Sequence, residues 1–200
     1  NVYQQAIQKS KDASPYGAAV YVYPVEEYAD MRLFLTGDGK AGFALKGDDI
    51  VSVFSGPPHK GSANSSLQLA VQEGGRRLDA FDTVLPELYN VNGFQVVGRL
   101  KWNEDYKPDG WDKKTFFPFN NGEPDVVYMA YKPSDNRTVS ENPGEYFDDP
   151  DELARVQKDA ARTTKGIVLG TKQPGAISIK GAHYGNVKVD ELDATKYGTG

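Results

Sequence analysis

The chain has 200 residues, with 23 basic and 28 acidic side chains, a net charge of −5, 38% hydrophobic and 12% aromatic content, and no cysteine. Its length suits one domain with appendages, and its apolar content excludes wholesale disorder. The acidic balance disfavours a broad phosphate-backbone binder, and the lack of cysteine excludes disulfides, thiolate metal sites and a Cys nucleophile.

Residues 1–13 are polar with apolar Val2, Ala6 and Ile7, which suits a short leading helix, punctuated by Pro15 and Gly17. Ala18 to Tyr23 is rich in β-formers and predicts a strand. Pro24 then opens a predicted helix from Val25 to Leu35, with Glu26 and Glu27 in its first turn. Short strands follow over 40–46 and 50–54, the second being the most β-prone run of the chain. A loop over 55–64 leads into a helix over 65–73, closed by Gly74 and Gly75.

Residues 77–81 predict a strand and 83–91 a helix, with Asp82 or Thr83 as N-cap and Leu85, Leu88 and Tyr89 as its buried stripe. A long strand over 93–102, a loop-rich insertion over 103–123 and a last strand over 126–131 complete the regular part. Beyond Pro133 the texture turns to Pro, Asn, Ser and Asp clusters. The exceptions are a helix over 151–163, with Leu153, Val156 and Ala160 apolar, and two short strand-like runs over 166–180. The last twenty residues read as irregular. The expected organisation is an N-terminal arm (1–17), an α/β domain (18–132) and a C-terminal extension wrapping it (133–200).

No stretch approaches the ~18 apolar residues of a membrane span, and the opening residues do not read as a charged-then-apolar leader. The start at Asn1 without Met and the stop at Gly200 read equally as a piece of a longer protein or as a tag-trimmed chain. No Walker loop, H-E-x-x-H or G-x-S-x-G occurs. Asp148, Asp149, Asp151 and Glu152 cluster without the spacing of a calcium loop, and His183 has no second His for zinc.

The strand, loop, helix and strand over 50–81 form a nucleotide-friendly unit. A loop feeding a helix N-terminus aims free N–H groups and the positive end of the helix dipole at one spot, which suits a pyrophosphate. Gly61 permits close approach, Lys60 adds a cation, and Ser62 or Ser65 offers a hydroxyl. The same residues would equally make a plain strand-to-helix turn.

The run from Leu85 to Phe94, with Leu88, Tyr89, Gly93 and Phe94, resembles the LYxxxGF signature that closes the acyl-CoA site of GCN5-related N-acetyltransferases. The order of elements over residues 18–132 is similar to that family as well. The resemblance implies a mixed, largely antiparallel sheet flanked by helices, with acetyl-CoA as cofactor. It assigns cofactor contacts to Val53 and Ser55 on the strand and to His59, Lys60, Gly61, Ser62, Ala63 and Asn64 in the loop and helix start. The family loop reads Arg/Gln-x-x-Gly-x-Gly/Ala. Gly61 and Ala63 fit its second half, whereas Pro58 stands where Arg or Gln belongs.

The chemistry implied is acetyl transfer to the amine of a small molecule or protein, with Tyr89 protonating the departing thiolate. A carboxylate, Asp79 or Asp82, would take the amine's proton; His59 is a further base for neutral pH. Tyr89 as a core aromatic and Asp82 as a helix cap are the plainer alternatives. The segment from Lys180 to Gly200 looks similar to linkers in large bacteriophage and mobile-element polypeptides. That implies neighbouring domains, and a cytoplasmic or virion-associated setting. A catalytically inactive scaffold of the same fold is the rival expectation.

Overall fold

The structure is a computed structural model, and it describes residues 2–56, 63–163 and 189–192. The chain is of mixed α and β class, with antiparallel strands flanked by helices, and divides into two compact units. The first runs to Gly75 and includes the strand at 189–192; the second runs from Arg76 to Leu169.

In the first unit, α1 (Val2–Ala13) and the single turn α2 (Val25–Tyr28) precede three strands, β1 (Arg32–Thr36), β2 (Ala41–Lys46) and β3 (Asp49–Ser55). Helix α3 (Ala63–Gln72) follows, and the late strand β7 (Val189–Leu192) pairs antiparallel with β1. The strands lie in the order β3-β2-β1-β7. Tyr3 and Ile7, one helical turn apart on α1, are fully buried with Leu33, Leu35, Ala44 and Phe54. On the alternate positions Phe34 and Phe43 stack at 4.5 Å, and α3 buries Leu67, Leu69 and Ala70.

The helix expected over 25–35 ends at Tyr28, and its second half is β1. Leu33 and Leu35 alternate onto the α1 face while Phe34 takes the other, so a sheet consumes apolar positions that a helix would have to place on one stripe. The strand expected over 18–23 is absent. Gly17–Ala19 form a 3₁₀ turn, and the chain then runs extended without ladder partners. The irregular ending is likewise interrupted by β7, while the runs predicted over 166–180 lie outside the described residues.

In the second unit, β4 (Arg77–Phe81), β5 (Phe94–Leu100) and β6 (Val126–Tyr131) pair antiparallel in the order β5-β6-β4. Helix α4 (Leu85–Val91) joins β4 to β5, and α5 (Pro150–Arg162) packs on all three strands. The buried stripe of α5 shares Leu153 with the expected one, but takes Gln157 and Ala161 where Val156 and Ala160 were expected. Gln157 is tolerated there because its Nε2 donates to the carbonyls of Leu78 (2.9 Å) and Met129 (3.1 Å). Val156 is left 38% exposed.

The expected boundaries at 17 and 132 therefore fall inside the units. The supposed arm, α1, is core of the first, and α5 is core of the second. The segment between β6 and α5 is also tied down. Asn142 Nδ2 donates to Val96 O, Gln95 Nε2 donates to the carbonyls of Asp135 and Arg137, and Gly144 sits where a Cβ would lie 2.5 Å from Val96. Gly144→Ala is expected to destabilise by about 1–3 kcal/mol, because its φ of +82° is also one that glycine alone adopts freely. Urea unfolding monitored by fluorescence measures this.

Candidate functional site

Strand β3 carries the clearest local departure from regular structure. Ala44 pairs with Val51 and Gly42 with Phe54, so Ser52 and Val53 together face the single residue Phe43. This β-bulge inserts one extra residue and inverts the facing of the strand. Val51 and Phe54 consequently share the α1 face, although they are three apart, and Ile50 lies on the other side, where it contacts Gly75. Ser52 adopts φ +53°, a left-handed conformation unusual for a residue with a Cβ. Two buried tyrosines hold it there. Tyr3 Oη donates to the Ser52 carbonyl at 2.5 Å, and Tyr28 Oη lies 2.7 Å from Ser52 Oγ.

Of the residues expected to contact the cofactor, Val53 lies in the bulge and Ser55 at the end of β3, paired with Ala41, and both are half-buried. Ala63 and Asn64 form the first turn of α3. His59, Lys60, Gly61 and Ser62 lie outside the described residues, as does His183.

In the second unit the negative charge of Asp79 acts on Tyr89. Tyr89 is 6% exposed, and its hydroxyl is pushed well above the ordinary tyrosine range, first by burial and then by the negative charge of Asp79. Among the described residues its hydroxyl has no hydrogen-bond partner. Asp79, on β4, is exposed as a residue, yet protein around its carboxyl raises its pKa by desolvation, an effect Arg77 partly offsets. It is an accessible acid with a weakened hold on its charge. The raised folded-state pKa lends stability that is complete below the ordinary aspartate value and is lost as pH rises through the shifted one. Asp79→Asn should therefore raise the melting temperature near pH 7. The gain, limited by solvent screening, should shrink toward about pH 4, and a pH series of thermal melts reads it.

Asp82 is not a helix cap. Helix α4 begins at Leu85, with Thr83 Oγ1 accepting weakly from the Leu85 amide at 3.4 Å. The Asp82 carboxylate instead accepts from Arg99 Nη1 at 2.9 Å. Arg99 also donates to Asp125 (3.0 Å) and, through Nε, to the Pro143 carbonyl (2.7 Å), and Tyr146 Oη donates to the same Asp125 oxygen at 2.7 Å.

Arg99 is 7% exposed, and its main chain bridges to Glu145 and Phe147. Arg99→Met should cost on the order of 3 kcal/mol, since it takes the cation from the largely buried Asp125 carboxylate and leaves it only Tyr146 as a side-chain donor. A denaturant titration against wild type checks it.

Sequence reasoning missed Tyr3, Tyr28, Ser52 and Arg99. Only the i, i+4 pair Tyr3 and Ile7 carried a signal, since it marks the buried stripe of α1. Among the described residues no helix is long and apolar enough to cross a membrane, and no group of His, Asp and Glu is placed to hold a metal ion. No protein-family model, curated protein or solved structure matches the chain.

Proposed function

We propose that the chain is an acetyl-CoA-dependent N-acetyltransferase-like domain that transfers the acetyl group to an amine. The observation that carries this is the bulged strand β3 running into the connection to α3. A bulge takes backbone groups out of the ladder, and the following helix start offers amides and a positive dipole end to a pyrophosphate. Tyr89 and Asp79 support the same reading. A tyrosine held protonated suits donation to a leaving thiolate, and an accessible, partly desolvated carboxylate suits removal of an amine proton.

Transfer then proceeds by attack of the neutral amine on the thioester carbonyl. In that reading the C–S bond breaks, the amine gives its proton to a base and the thiolate takes one from an acid, the roles that the resemblance gives to Asp79 and Tyr89. The setting we infer is cytoplasmic, or within a virion-associated polypeptide of a bacteriophage.

The near-complete burial of Tyr89 favours a second reading, in which the domain is a catalytically inactive scaffold or interaction module of such a polypeptide. Calorimetric titration with acetyl-CoA and with free CoA separates the two. Saturable binding that Gly61→Val weakens supports the transferase, and heatless titration of folded protein supports the scaffold.

A further inference from the structure

We infer that Tyr3 and Tyr28 are positioning residues that lock the Ser52 bulge into the shape in which β3 meets its cofactor. The inference rests on the acetyltransferase reading. Serine at φ +53° is disfavoured relative to extended backbone, and a bulge leaves local backbone groups without ladder partners. Both deficits are met at one residue. Tyr3 satisfies the Ser52 carbonyl, and Tyr28 bonds its side-chain hydroxyl.

The two tyrosines come from different elements, α1 and the short turn α2, and both are fully buried. Their rings lie 5.3 Å apart, and Tyr3 meets Phe54 edge-on at 5.7 Å, so neither hydroxyl can swing away without disturbing the core. Tyr28 Oη is itself fixed by the Tyr23 amide, which donates to it at 3.3 Å. Core packing alone would be served as well by phenylalanine at both positions. The hydroxyls converge on Ser52, the sole non-glycine residue of the described strands with positive φ. Strain held by dedicated contacts is a mark of a site whose shape matters.

The test compares wild type, Tyr3→Phe, Tyr28→Phe, and Tyr3→Phe combined with Ser52→Gly. CoA affinity is measured by calorimetry, and amide exchange over 51–55 by mass spectrometry. Each single Phe variant should bind CoA about tenfold more weakly. Exchange over 51–55 should quicken while exchange in α3 stays as in wild type. Glycine at 52 adopts positive φ without the prop, so the double variant should recover most of the affinity.

Phe variants that bind CoA like wild type and exchange at the wild-type rate overturn the positioning role and leave the acetyltransferase proposal standing. Weakened binding that Ser52→Gly fails to restore also overturns it, by reducing the tyrosines to general packing. Wild type that binds no CoA removes the acetyltransferase proposal itself and, with it, any cofactor role for the bulge.

Discussion

A chain cut to residues 14–132 is expected to lose cooperative folding. The cut removes α1, whose Tyr3 and Ile7 are fully buried in the first unit, and α5, whose Leu153, Gln157 and Ala161 cover the second. Each large apolar side chain withdrawn forfeits about 1.5–3 kcal/mol of burial, and the residues left behind are newly exposed as well. Against a whole-protein stability of about 5–15 kcal/mol, losses in both units leave no margin. The carbonyls of Leu78 and Met129 lose Gln157 in the same step. Near-ultraviolet circular dichroism and a urea titration should show lost fixed tertiary packing and a broad, shallow transition. A sharp transition with a midpoint close to that of the full chain would show that α1 and α5 are dispensable wrapping.

On the acetyltransferase proposal, Tyr89→Phe is expected to slow acetyl transfer by roughly 10²–10⁴-fold while leaving thermal stability near that of wild type. The ring is kept and the hydroxyl has no partner among the described residues, so its removal strands nothing and relieves the burial of a polar group. Because burial and Asp79 keep the hydroxyl protonated well above its usual range, wild-type activity should show no alkaline fall from Tyr89 titration up to about pH 10. Single-turnover transfer with saturating acetyl-CoA measures the rate, and differential scanning calorimetry the stability. An unchanged rate would remove Tyr89 from the chemistry and return it to the core of its unit.

How much of this could be read from the residues depends on the range of the forces involved. Strands β2, β3, β4 and β6 and helices α3 and α5 were legible because hydrophobic pattern and turn residues act over a few positions. The stretch from Val25 to Leu35 was not. Its opening proline and glutamates signal a helix correctly for one turn, and the conversion to β1 then depends on β2 and β7 as partners, the second more than 150 residues away. The phase of α5 was misjudged because composition ranks Val156 above Gln157, whereas the sheet beneath offers two carbonyls that a carboxamide satisfies. Asp79 and Tyr89 were singled out only through the acetyltransferase resemblance, not by any local pattern of their own. The diversion of Asp82 to Arg99 depends on strand pairing that brings residues 17 apart together. The Ser52 bulge left no local mark, since serine does not announce a left-handed backbone and its props are 49 and 24 positions away.

The edge strand β7 also bears on how the protein is made. β1 has emerged from the ribosome once residue 36 is out, but its outer edge acquires a partner only when Val189–Leu192 follow, and Arg32 waits equally long for Glu191. At about 5–20 residues per second that interval is on the order of ten to thirty seconds. Throughout it a strand carrying Leu33, Phe34 and Leu35 presents unpaired amides and carbonyls to whatever other nascent chain is near. The second unit, contiguous in sequence, can meanwhile finish. Crowded synthesis on one messenger is thus a condition that exposes this edge to mispairing.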